Sequence, residues 1–170
     1  MVAWLLLLAP ALLLALTPIL SARQAGTSQA RQRIVDQPEL IGTWRLNPAK
    51  SKYSPGPPPK SETRTYTRDA EGITGVIHRV YADGREETIE YRADFDQEYP
   101  VKGTEAYDAV ILKRIDARTA EAVLSHAGRV FGYARRVIAS DGRTMTITFR
   151  RDPPSSVHNV AVYDKEADGR

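Results

Sequence analysis

The chain has no cysteine. If it is exported, its domain must hold together without a disulfide, and attachment to a membrane through a lipidated cysteine is excluded. Such a domain suits a bacterial envelope better than an animal secretory pathway. Charge is also missing at the start, with no Lys, Arg, Asp or Glu before Arg23. Val2 to Leu20 is apolar except for Thr17 and two prolines, Pro10 and Pro18. Residues 1–22 are expected to be a signal peptide, cut after Ala22 or, with a better small-x-Ala match, after Ala30. The positive charges follow the apolar run instead of preceding it, which speaks against export. The alternative is an anchor of about bilayer length in the inner membrane, which Pro10 and Pro18 would weaken.

Other absences narrow the function. There is no concentrated basic tail: the net charge of +3 is spread over many arginines, so no nucleic-acid partner is expected. Histidine is scarce. His78, His126 and His158 lie on three separate strand patterns without metal-ligand spacing, so neither metal nor cofactor is expected. No Gly-x-Ser-x-Gly elbow is present, and no strand-to-helix turn could build one. The carboxylates of Glu86 and Glu90 alternate onto an outward face, while Glu87 adjoins them, and they read as a solvated strand surface. No catalytic residue is assigned, and the chain is read as a non-enzyme.

What is present is a series of hairpins. Glu71-Gly72, Asp83-Gly84, Ala127-Gly128 and Asp141-Gly142 sit between runs rich in Val, Ile, Thr and Tyr, and Asp116-Ala117-Arg118 turns another pair. After a polar lead over residues 23–38, Leu40, Trp44 and Leu46 share one face of an opening strand. Ile89, Tyr91, Ala93 and Phe95 point inward at period two, as do Met145, Ile147 and Phe149. Ser61 to Arg68 is polar on both faces and reads as a rim or edge strand. Pro48 to Lys60 reads as a stiff, polyproline-like crossover over one barrel end, or as a partner-docking loop. A segment from 97 to 106 reads as a loop with a short strand at Tyr99 to Val101. The result is an all-β antiparallel meander of eight to ten strands over residues 39–165. It closes into a barrel with its first and last strands adjacent, followed by a disordered tail over 166–170.

The opening Gly42-Thr43-Trp44 and the closing Val160-Ala161-Val162-Tyr163-Asp164-Lys165 resemble the calycin superfamily of lipocalins and fatty-acid-binding proteins. The run from Gly42 to Pro59 looks like a set of bacterial exported proteins of that shape. The resemblance implies a periplasmic or extracellular barrel that binds a small, mostly apolar ligand. Candidate ligand residues are the inward aromatics Trp44, Tyr91, Phe95, Phe149 and Tyr163, with Arg135 and Arg136. One of these two arginines must face the interior, since neighbours on a strand point to opposite faces. Two departures from the relatives, and one position left open, bear on function. The two short helices of fatty-acid-binding proteins are replaced by the Pro-rich loop. Their last-strand Arg-x-Tyr retains Tyr163 but has Ala161 for the arginine. The arginine that lipocalins lay over the Gly-x-Trp indole could be Arg135, Arg136 or Arg150. The other reading is an interaction or inhibitor module with a filled core, acting through residues 48–60.

Overall fold

The computed structural model describes residues 37–69, 72–152 and 158–167. The export or anchor segment, most of the polar lead, Glu71 of the first hairpin turn and the last three residues of the tail lie outside them. Ten strands follow one another: β1 (Gly42–Leu46), β2 (Ser61–Asp69), β3 (Gly72–Val80), β4 (Glu86–Ala93), β5 (Glu98–Lys102), β6 (Ala109–Arg114), β7 (Thr119–His126), β8 (Arg129–Ile138), β9 (Thr144–Arg151) and β10 (His158–Lys165). Each pairs antiparallel with the next, and β1 pairs with β10 to close the barrel. The closing register sets Trp44 opposite Lys165 and Leu46 opposite Tyr163. Closure pairs the first strand with the last, so neither is left as a free sheet edge.

The turns follow local chemistry. Ala127 and Gly128 both have positive φ, +48° and +74°, the pattern of a mirror-image two-residue hairpin turn. Asp83 and Asp141 each use a carboxylate oxygen to accept the amide two residues on, from Arg85 at 2.9 Å and Arg143 at 2.8 Å. β5 is the strand most obscured in the sequence. It contains Pro100 and pairs with β4 through only two residue positions. Gly103, just beyond it, has φ +81°, and a Cβ there would sit 1.8 Å from the Thr88 carbonyl oxygen. The chain can pass that close only without a side chain.

Two apolar clusters line the wall. One gathers Leu40, Trp44, Leu46, Tyr66, Ile73, Ile138, Met145 and Tyr163, and the other Ile77, Ile89, Ala93, Phe95, Val101, Val110 and Leu112. The first seals one end. There Trp44 is fully buried and its Nε1 donates to the Leu40 carbonyl at 2.8 Å. The cation over the indole is Lys165, with Nζ 5.2 Å from the ring centroid. This corrects the expectation of Arg135, Arg136 or Arg150: the closing register brings Lys165 directly beside Trp44, whereas those arginines lie on β8 and β9. Arg136 instead lies 5.6 Å over Tyr66 and donates to Gln37 Oε1 at 2.6 Å.

One expectation about the segment from 48 to 69 needs correction, that of β2 as a rim or edge strand. The Pro-rich crossover opens as a 3-10 turn, Pro48–Lys50, with the Asn47 side chain accepting from the Lys50 amide. It then runs along β10: Lys52 bridges to Val160, and the Ser54 carbonyl accepts from the His158 amide at 2.9 Å. β1 is only five residues long, so the loop satisfies the remaining edge of β10. β2 is not a rim strand. It is nine residues long, pairs with β3 along its whole length and with β1 at four positions, and turns Glu62, Arg64 and Tyr66 inward.

Candidate functional site

The barrel is not filled. Between the sealed end and the opposite mouth lies a cavity of about 530 Å³. The Pro-rich loop (Pro55, Pro57, Pro59), the β3–β4 turn and Asn159 border the mouth. The walls carry Ile77, Val110, Leu112, Leu124 and Ile147 together with seven aromatic rings: Tyr53, Tyr81, Tyr91, Tyr107, Phe131, Phe149 and Tyr163. Glycine makes room for two of these rings. A Cβ at Gly75 would meet the Tyr91 ring at 2.6 Å, and one at Gly132 would meet the Phe149 ring at 2.8 Å. Each ring therefore lies flat against bare backbone of the neighbouring strand.

One wall is polar, and it comes from the two strands least marked as functional. Glu62 on β2 is 1% exposed. Its Oε1 accepts from Arg64 Nε at 2.6 Å and from the Tyr163 hydroxyl at 2.6 Å, and its Oε2 accepts from Arg79 Nε at 2.6 Å. Burial alone would raise the Glu62 carboxyl. The two guanidinium groups and the tyrosine outweigh it and hold the pKa down to about 2. Burial likewise opposes the charge on Arg64 and Arg79, but Glu62 keeps both firmly protonated. Burial pushes Tyr53 up to about 12, with Glu62 adding to the effect, and also raises Tyr91, Tyr107 and Tyr163. At neutral pH the wall therefore holds one carboxylate, two guanidinium ions and neutral phenols. Nearer the mouth, Arg79 Nη1 and the Tyr81 hydroxyl both donate to Glu87 Oε2, at 3.3 and 2.6 Å.

The structure sorts the sequence candidates by position. Tyr91, Phe149 and Tyr163 line the cavity. Trp44, Phe95 and Arg136 belong to the packed wall and the sealed end, away from it. Arg135 faces outward, where it forms an exposed ion pair with Glu121. Its neighbour Arg136 takes the inward position, and strand alternation allows only one of the two. Arg64 reaches the last strand from β2: its guanidinium carbon stands 5.1 Å over the Tyr163 ring. Glu62, Arg64, Arg79, Tyr53 and Tyr107 were not among the sequence candidates. His78, His126 and His158 are all exposed, at separate places on the barrel.

No protein-family model and no curated protein matches the chain. Among solved structures, a fatty-acid-binding protein of Schistosoma mansoni in complex with arachidonic acid superposes with a TM-score of 0.56 at 12% identity, over 78% of this chain and 99% of that one. A redesigned β-barrel bound to DFHBI and a biogenic amine-binding protein match less well, with TM-scores of 0.39 and 0.42 at 12% and 14% identity; they cover 79% and 76% of this chain and 99% and 65% of their own. The chain therefore shares the fold of that fatty-acid-binding protein, here a closed ten-stranded antiparallel meander.

Proposed function

We propose that this chain is an exported, non-enzymatic binding protein whose barrel interior takes up one small, mostly apolar molecule. The observation that carries this reading is the cavity. Its volume of about 530 Å³ falls in the range usual for small-molecule sites, about 300–1,000 Å³. Its walls are mainly aromatic and aliphatic, with a few convergent polar groups, the usual make-up of such sites. A barrel of the same fold in complex with arachidonic acid supports a small-molecule role. Export rests on the apolar run from Val2 to Leu20. The Pro-rich loop borders the mouth, so its position suits a gate or rim of the same site better than a separate docking surface.

The test is direct. Native mass spectrometry of the purified protein should show a co-purified small molecule. Failing that, an environment-sensitive apolar dye should bind one per chain with a fluorescence rise. A folded protein that carries nothing and takes up no apolar probe would reject the reading.

A further inference from the structure

Resting on the proposal of a ligand-filled interior, we infer that the preferred ligand class is a compact, planar aromatic bearing an anionic or acceptor-rich group, an aryl carboxylate or a phenolate, rather than a flexible acyl chain or a cation. Two features of the cavity lead there.

The first is the balance of donors and acceptors. Among the described residues, Glu62 is the one carboxylate deep in the cavity, and three hydrogen bonds already occupy its oxygens. At 1% exposure it offers nothing to a ligand. Glu87 is committed to Arg79 and Tyr81, and Asp83 stands at the mouth. Glu62 engages each guanidinium through its Nε, and Arg64 also hydrogen-bonds the Tyr66 hydroxyl, so only its remaining terminal N–H groups are left to a ligand. Arg79 turns one of its terminal nitrogens toward Tyr81 and Glu87. Arg64 remains the deep donor: its side chain is 14% exposed and lines the cavity. The phenols of Tyr91 and Tyr107 stay protonated, so each keeps an O–H to donate, while Tyr53 shares a hydrogen bond with Tyr163. A wall rich in donors and poor in free acceptors favours a ligand group that accepts, and a guanidinium fork suits a planar carboxylate.

The second is the shape and polarity of the rings. Tyr107, Phe131 and Phe149 form a tilted row, with centroids 5.9 Å apart at each step and interplanar angles of 33° and 31°. Aromatic side chains are stiff, so the shape of this wall is set before the ligand arrives. A rigid planar ligand loses little freedom against it, whereas an acyl chain must freeze each of its rotors. Aromatic walls can also attract cations. Here, however, the protein's own cations already lie over three of the cavity's rings: Arg64 over Tyr163 at 5.1 Å, Arg79 and Arg85 over Tyr81 at 5.5 and 3.9 Å, and Arg151 over Phe131 at 4.7 Å. A cationic ligand would meet them.

The experiment titrates the unaltered protein with four probes and reads affinity by calorimetry: 2-naphthoate, 2-naphthylmethylammonium, decanoate and a neutral naphthalene dye. A charge-assisted hydrogen bond should make naphthoate at least about tenfold tighter than the matched cation. Naphthoate should also exceed decanoate. Arg64→Lys keeps the charge but loses the fork, and should reduce naphthoate affinity about tenfold while sparing the neutral dye. If the cation or decanoate binds as well as naphthoate, the inference falls while the binding function stands. If no probe binds the folded protein, both fall. The ligand series is run on the wild-type chain, so its outcome does not depend on whether Arg64→Lys folds.

Discussion

Replacing Glu62 by glutamine removes the single negative charge from between two buried guanidinium groups. Two routes give the cost. Leaving buried charges without their partner destabilises a fold by about 3–5 kcal/mol. Independently, a carboxyl lowered from its ordinary 4.5 to about 2 corresponds to about 3 kcal/mol of stability at neutral pH. The sign follows from the direction of the shift. The folded-state pKa is depressed, so the contribution is complete above about pH 5 and disappears as pH falls toward 2. With a urea m-value of about 2 kcal/mol/M, Glu62→Gln should lower the midpoint by about 1.5–2.5 M at pH 7. The gap between wild type and variant should then close between about pH 5 and pH 2. Asp116, Asp141 and Asp164 are also held below the usual carboxylate range. They titrate in both proteins, and comparing wild type with variant cancels them. Equal midpoints at pH 7, or a gap that does not change with pH, would refute the claim that Glu62 is the buried counter-ion of the wall.

Further outcomes follow from the same geometry. Gly75→Ala should leave the barrel folded but force the Tyr91 ring off its seat, lowering apolar-probe affinity roughly fivefold, about 1 kcal/mol, by calorimetry. Gly103→Ala places a Cβ 1.8 Å from the Thr88 carbonyl at a φ of +81°, so it should lower the thermal midpoint clearly, with a cost above about 1 kcal/mol. Trp44→Phe leaves the Leu40 carbonyl without its donor and opens a gap in the sealed end; a urea midpoint should register a loss of about 2–4 kcal/mol. Arg135→Ala removes a half-exposed pair with Glu121, so stability should change by less than about 1 kcal/mol and probe binding not at all.

The fold was legible because its signals are local. A hairpin turn declares itself in two or three residues, and alternation over Arg85 to Phe95 or Arg143 to Arg150 assigns faces without reference to the rest of the chain. Closure then follows from the need to hide edges, and Trp44 does stand opposite Lys165 on the last strand. The strand that was hardest to see, β5, carries a proline and has short pairings on both sides, so neither composition nor length announces it.

The candidate site was less legible, and β2 shows why. Glu62 and Arg64 look like solvent-facing residues as long as polarity assigns the face and pairing is left aside. Each is costly to bury alone, and a single strand cannot show that the cost is cancelled from the next one. Register shows it. Pairing Asp69 with Gly72 sets Glu62 opposite Arg79, Arg64 opposite Ile77 and Tyr66 opposite Gly75. Residues directly opposite across an antiparallel pair share a face of the sheet. Ile73 and Ile77 belong to the interior by their apolar character, so Arg64 must join them, and so must Glu62 and Arg79 two positions along. The acid and the base then meet across the ladder and make the interior tolerable to each other. Polarity fails as a guide to burial where charges of opposite sign occupy paired positions, and in this barrel those positions form the polar wall of the cavity.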